Sequence, residues 1–481
     1  MTIFIQAYRS FSMRYIACTD ILTSIIERGH KIVFFVADDE VEYFRKSLNH
    51  ENIIIESVHY KELFNELRQS KLRTIVNLIR IMTSGSSKEI KNTTIKHFLK
   101  MLYKEEFSKG FGPLIFLIMS VICWVTSNSK WARTLLTLLI SRLFSGDIYN
   151  PYFVKYRPST LLISSLGYGI DPHIMNAAKR YDCKIISIPH SWDNPSVNGY
   201  RGSKPDFAFA WNRNMKEEMQ IFHDLDPNNI IIGGVAHWDK YLNGEFKPGD
   251  IKTFCKTHGL DSKKKILLYA LSGPTNFEKR FTVVDGIMNL IANDLKEYDL
   301  QLLVRFHPLH MHTVDGKFVL TEKFAEEYTK LTQKYGELIN FWLPDQPHLD
   351  SNNQLSMSDM YSMAEAICHS AILLQEYSTL ILESTVFNKP TINISMYKWR
   401  QLANSDQLEK TRHLSHILKY QSCATVRTFK ELEANIINYL KNPDIHQENR
   451  KQLFENEVNI NPGVAGKFIG DTISDIMSNR V

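Results

Sequence analysis

The constraint that most narrows what this chain can fold into lies in its first forty residues, where two short apolar runs flank a single amphipathic stretch. Residues 3–7 read as a strand and 13–28 as a helix with one apolar face. Residues 31–37 read as a second strand, entered through Gly29-His30 and ending at Asp38-Asp39. Strand, helix and strand joined by short turns describe a crossover connection, and a crossover makes the two strands parallel neighbours. A third strand is expected at 53–58. After a helix-rich interruption, strands resume at 160–165, 184–189, 206–211 and 229–233.

A second alternation follows a polar stretch between 241 and 265 that holds Gly244, Pro248, Gly249, Gly259 and the run Lys263-Lys264-Lys265, a composition suited to a linker. Strands are expected at 265–270, 301–306, 339–342, 371–375 and 391–394. Helices are expected near 283–295, 324–335, 359–366 and 378–387, with more helices to the C-terminus. The predicted fold class is α/β with two Rossmann-like domains facing a central cleft. The first spans 1–243 with a helical insertion at about 60–145, the linker spans 244–264, and the second spans 265–481. No internal repeat or low-complexity tract interrupts the pattern.

Composition excludes several function classes. With 481 residues, 44% hydrophobic and 23% charged, the chain is globular rather than disordered. Its formal charge of +5 is small for this length, so a nucleic-acid partner is not expected. Six cysteines without a CxxC pair argue against a zinc site and a disulfide framework, which fits a reducing cytoplasm. The N-terminus has neither the basic head nor the cleavage site of a signal peptide, so the mature chain is expected to begin at Met1.

Residues 113–126 are strongly apolar but number about fourteen, short of the roughly twenty that a spanning helix needs. A second apolar run at 135–144 follows Lys130 and Arg133. Three readings stand: a pair of buried helices, an in-plane anchor on an anionic membrane surface helped by Lys88, Lys91, Lys96, Lys100 and Lys104, or a transmembrane hairpin.

Ligand groups in α/β sheets sit where strands end. Arg305, His307 and Pro308 close one expected strand, and the run Glu376-Tyr377-Ser378-Thr379 through Glu383 follows another. A cation and an imidazole at one strand end, with hydroxyls and carboxylates at the next, suit the phosphates and ribose of a nucleotide. Ser378 and Thr379 open a helix, where hydroxyls and amides face the positive end of the dipole, although plain N-capping explains them as well. Glu383 stands one and a half turns further on, within reach of a ribose hydroxyl or on a solvated face. Glu376 is expected to fix the turn. His307 reads as a donor to a leaving phosphate or as a histidine held by the proline turn. Arg305 would neutralise that phosphate, unless strand alternation turns both side chains away. Ser272 and Gly273, with Pro274 and Thr275, follow the first strand of the second domain and offer amides and a hydroxyl to the donor. His310 and His312 lie near His307 without a third ligand, so no metal is expected.

These motifs give the chain a family likeness. It resembles GT-B glycosyltransferases, and within them the bacterial branch of CDP-glycerol glycerophosphotransferases and related capsule and surface-polysaccharide transferases. That branch carries Arg-x-His-Pro and Asp-Tyr-Ser-Ser-x-x-x-Asp; here residues 305–308 and 376–383 match, with Glu at both Asp positions and Thr379 for the second Ser. Asn388-Lys389-Pro390 stands where Gly-Lys-Pro is usual. The resemblance covers the second domain well and the first in outline. It implies a nucleotide-sugar or CDP-polyol donor, a saccharide or lipid-linked acceptor, no cofactor and no required metal, and work in the cytoplasm or on the inner face of its membrane. It also implies that His190, in the run 188–194, is the base for the acceptor hydroxyl, with Asp193 as its orienter or an alternative base. The alternative for His190 is a cap on the next turn. Glycine usually follows that histidine in the branch; Ser191 follows it here. The run 233–239 resembles the turn that ends the first domain and reads as hinge architecture. A UDP-sugar 2-epimerase shares the fold and the Arg-x-His-Pro turn but carries Gly-Gly where Ser378-Thr379 stand; a non-catalytic scaffold is the other alternative.

Overall fold

A computed structural model describes residues 1–83, 103, 107–167, 169–197, 199–274, 279–314, 317–344, 357–397 and 406–479. The first lobe is built on β1 (Thr2–Gln6), β2 (Lys31–Val36), β3 (Ile53–Ser57), β4 (Thr160–Ile163), β5 (Lys184–Ser187), β6 (Phe207–Ala210) and β7 (Ile230–Ile232). They form one parallel sheet in the order β3-β2-β1-β4-β5-β6-β7. The second lobe holds β8 (Lys265–Ala270), β9 (Leu300–Arg305), the antiparallel hairpin β10 (Met311–Val314) and β11 (Lys317–Leu320), then β12 (Ile339–Trp342), β13 (Ile372–Gln375), β14 (Thr391–Ile394) and β15 (Ala424–Val426). Its parallel sheet runs β12-β9-β8-β13-β14-β15. Strands buried on both faces read as continuous apolar runs, which is why β1, β2, β4, β8 and β9 stand out in the sequence. In both sheets the order reverses beside the first strand of the lobe, between β1 and β4 and between β8 and β13. Such reversals open a crevice at the carboxyl ends of the strands.

The expected single helix over 13–28 is two, Ser10–Ala17 and Asp20–Glu27, because the Thr19 side chain accepts the Ile21 amide at 3.4 Å and starts a new helix. The last helix, Ala465–Met477, returns to the first lobe, so the span 265–481 includes a helix that packs away from its own sheet. Its amides at Ala465 and Gly466 donate to Asp239 at 3.0 and 2.7 Å, and Ser24 donates to Asp471 at 2.8 Å. Gly470 permits the approach, since a Cβ there would stand 2.8 Å from the Ile21 carbonyl oxygen. The 233–239 turn thus clamps this helix through Asp239, whose carboxyl is pushed up to about 6 by burial.

The insertion contains helices Tyr60–Gln69, Lys71–Met82, Gly112–Asn128 and Lys130–Leu143. Of the three readings for the apolar runs 113–126 and 135–144, full burial does not hold: Met119, Cys123, Leu136 and Ile140 turn inward, while Leu117, Val121, Trp124 and Trp131 are exposed. No single described helix is long and apolar enough to cross a membrane, and the two helices meet at a 116° bend. Lys88, Lys91, Lys96, Lys100 and Lys104 lie outside the described residues. All six cysteines are free thiols.

Candidate functional site

The two crevices face each other across one cavity of about 410 Å³, lined by His190, Asp193, Ser272, Arg305, His307, Pro308, Ser378, Thr379 and Glu383, together with Phe11, Arg14, Trp211 and Asp359. Its size is that of a small-ligand site.

The second lobe supplies most of the lining. Arg305 ends β9 and His307 follows it, and both reach the cavity. The His307 Nδ1 accepts the Leu309 amide at 3.1 Å, so a neutral ring carries its proton on Nε2 and is a donor there. Burial, then Arg305 and Arg280, hold its pKa down to about 4. Arg305 pairs with Asp359 at 2.5 Å and lies over the Trp342 ring at 4.5 Å, which fixes its guanidinium and offsets part of its charge.

The turn after β13 is held from beneath. Tyr377 adopts a left-handed φ of 46°, a strained conformation for a side chain of this size. Its amide donates to Asn393 at 2.8 Å and the Ser378 amide to Gln375 at 2.8 Å. The Ser378 hydroxyl, which lines the cavity, donates to the same Gln375 oxygen at 3.2 Å and accepts the Leu380 amide at 3.3 Å. The helix that follows, Leu380–Val386, is short, and Thr379 is its N-terminal boundary.

Glu383 is buried, not on a solvated face, and burial raises its carboxyl to about 7. The Tyr241 hydroxyl stands 3.2 Å from its Oε1 and 3.1 Å from the Met360 carbonyl. One hydroxyl proton cannot serve both acceptors fully. A protonated Glu383 that donates to Tyr241, while Tyr241 donates to Met360, satisfies all three groups.

Two expected donor contacts, Ser272 and Gly273, are corrected, and Glu376 holds the turn instead of a ligand. Glu376 has no exposed surface and does not reach the cavity: it accepts Tyr269 Oη at 2.5 Å, Ser272 N at 3.2 Å and Ser272 Oγ at 2.5 Å. The amide and hydroxyl proton of Ser272 are therefore spent on Glu376, although the residue lines the cavity. Gly273 is not in the lining, and its carbonyl accepts Arg280 Nη2 at 2.9 Å. Arg280, buried and 3.5 Å from Glu376, also donates to His310 Nε2. That leaves the His310 proton on Nδ1, which donates to the His307 carbonyl at 3.0 Å. A buried chain Glu376–Arg280–His310 thus sets the backbone of His307 from behind. Thr275 lies outside the described residues.

From the first lobe, His190 follows β5 and faces the crevice between β1 and β4. Its Nδ1 lies 2.7 Å from the Ser164 carbonyl, which can only accept, so Nδ1 carries the proton and Nε2 is the free acceptor. Burial holds its pKa down to about 4. Asp193 lines the cavity, but its carboxylate accepts the Ser191 hydroxyl at 2.6 Å; the Ser164 carbonyl orients His190.

Sequence reasoning missed Arg14, Asp359, Tyr241 and Arg280. Arg14 projects from helix Ser10–Ala17, with its guanidinium 5.3 Å from the Phe11 ring and no ion pair among the described residues. Burial lowers its pKa, and Asp359 and Glu383 oppose that. In the sequence it resembles any solvated helix cation. No group of three or more His, Cys, Asp or Glu side chains among the described residues is placed to hold a metal ion.

No protein-family model and no curated protein matches the chain. Solved structures do. A Listeria monocytogenes structure assigned as a UDP-N-acetylglucosamine 2-epimerase aligns over 100% of this chain and 97% of its own, at TM-score 0.53 and 8% identity. The fold is of the GT-B type. UDP-GlcNAc 2-epimerase from Neisseria meningitidis, bound to UDP-GlcNAc, covers 100% of both chains at TM-score 0.51 and 9% identity. A glycosyltransferase from Rickettsia africae covers 100% and 98% at TM-score 0.50 and 12% identity. At such identities the likeness is one of fold.

Proposed function

We propose that the chain is a metal-independent glycosyltransferase that moves a sugar from a nucleotide-activated donor to a hydroxyl of a saccharide or lipid-linked acceptor. The observation that carries this reading is the convergence, on one cavity, of an Nε2–H donor at His307 and of Arg14, a cation with no ion pair among the described residues. Both suit a diphosphate, whose charge builds as it leaves. Glu383 lies near enough to the same wall to meet a ribose hydroxyl. The acceptor oxygen bonds to the anomeric carbon, the bond from that carbon to the phosphate oxygen breaks, and its electron pair goes to the nucleoside diphosphate. The acceptor proton goes to His190 Nε2. With a CDP-polyol donor the same groups would serve attack at phosphorus, the reading favoured by the likeness of 305–308 and 376–383 to the glycerophosphate branch. Two of the three similar structures are named as 2-epimerases, but Ser378-Thr379 in place of Gly-Gly weighs toward transfer.

The test is thermal stabilisation by a panel of UDP-, GDP-, CDP- and CMP-linked donors, repeated on His307→Ala. One donor class should stabilise the protein. The variant should bind it at least about tenfold more weakly, about 1.4 kcal/mol. Stabilisation by no donor, or unchanged affinity in the variant, overturns the assignment.

A further inference from the structure

Helices Gly112–Asn128 and Lys130–Leu143 form an elbow whose outer surface has no partner among the described residues. Leu114, Leu117, Val121 and Trp124 fall at helical spacing along one stripe, and Trp131, Leu135 and Leu138 continue it past the bend. The two tryptophans flank the bend at 69% and 71% exposure. An apolar stripe of this extent on a folded chain marks a surface that something covers.

Charge identifies the occupant. Between residues 107 and 146 there is not one Asp or Glu, and three cations, Lys109, Lys130 and Arg142, are exposed; the fourth, Arg133, is buried against Asp224 and adds nothing to the face. Two copies of this face would oppose like charges, whereas anionic headgroups complement them. Tryptophans at an apolar boundary fit a lipid interface. The first helix alone is too short to span, since 17 residues rise about 25 Å against a hydrocarbon core of about 30 Å. The 116° bend also turns the second helix away from the direction of the first. We propose that this elbow lies in the plane of an anionic membrane surface, with its apolar stripe buried at the headgroup level.

The elbow is joined rigidly to the cleft. Arg133 donates to both Asp224 carboxylate oxygens at 2.7 and 2.8 Å and to the carbonyls of Thr126 and Ser127, which ties the bend to the first lobe. The loop that carries His190, Asp193 and Asn194 runs on to Tyr200, whose amide donates to the Thr83 carbonyl at 2.7 Å and whose hydroxyl lies 3.2 Å from Thr137. Arg201 reaches back to the Asn194 carbonyl at 2.8 Å. The lipid-facing helices and the acceptor side of the cavity are one packed body. Resting on the transferase reading, this deepens it: the acceptor is carried on a lipid.

The experiment is flotation of the full chain with vesicles of phosphatidylglycerol and phosphatidylcholine, against phosphatidylcholine alone. The protein should float with the anionic vesicles, less so at high salt. Leu117→Glu with Val121→Glu and Leu138→Glu should lower vesicle binding at least about tenfold while the thermal midpoint stays unchanged. Separately, Trp124→Phe with Trp131→Phe should remove most of the quenching by brominated lipid. Failure of the wild type to float, equal flotation on both vesicle types, or flotation of the glutamate variant like wild type would each overturn the proposal. So would a change from dimer to monomer in the variant with flotation retained, since a second copy would then cover the face. Nucleotide binding is read independently: a chain that floats but binds no donor sinks the transferase reading and leaves the docking surface standing.

Discussion

Glu383→Gln isolates one of the least comfortable groups in the cavity. Burial lifts the Glu383 carboxyl from 4.5 to about 7, which corresponds to a preference for the neutral form of about 3 kcal/mol. A folded-state value above the unfolded one means that the native chain holds the proton more tightly. The resulting stabilisation is fully present below pH 4.5 and is lost as pH rises through about 7. Glutamine has the shape of the protonated acid, can donate to the Tyr241 oxygen, and does not ionise. The variant should therefore match wild type at about pH 4.5 and exceed it by about 3 kcal/mol above about pH 8, the gap opening across that interval. Urea denaturation of both proteins at several pH values, without nucleotide, reads the difference directly, and groups that titrate equally in both cancel. A gap that does not vary with pH, or one that widens toward acid, would refute the argument.

His190→Ala should abolish turnover and leave donor affinity nearly intact. In the wild type the acid limb of kcat/KM, which reports the free enzyme, should fall near pH 4, to which burial lowers this ring, and a limb at the ordinary 6.5 would refute the assignment. Arg133→Met should cost about 3–5 kcal/mol by stranding the Asp224 carboxylate. Arg133→Met with Asp224→Leu should recover most of that in urea denaturation, and full additivity of the two changes would show that the pair does not interact.

Strands were the most legible part of the sequence. The expected runs 265–270, 339–342 and 391–394 coincide with β8, β12 and β14: β8 and β14, covered on both faces, leave apolar blocks bounded by turn residues, and the half-buried edge strand β12 still carries Ile339, Phe341 and Trp342. The hairpin β10–β11 was missed: its short segments mix His312, Thr313 and Lys317 with apolar residues and show no clear alternation. The break at Thr19 was hidden because the apolar face carries across it with Ile16, Ile21 and Ile25 all buried. At the site, strand-end logic located His307, Ser378 and His190 in one cavity. It could not separate Glu376 from the lining, because a carboxylate beside a turn reads the same whether it meets a ligand or three buried donors from elsewhere in the chain. Arg14 and Asp359 stand 291 and 54 positions from Arg305, and nothing in either neighbourhood announces such a meeting.

The return of helix Ala465–Met477 has a mechanical consequence. The polypeptide passes between its halves twice, once on leaving β7 for β8 and again near residue 460, so the lobes are tethered by two strands of chain rather than one. Opening is thereby restricted to rotation about the line joining the tethers, and cutting the second one, by truncation ahead of residue 465, would convert a hinge into a swivel.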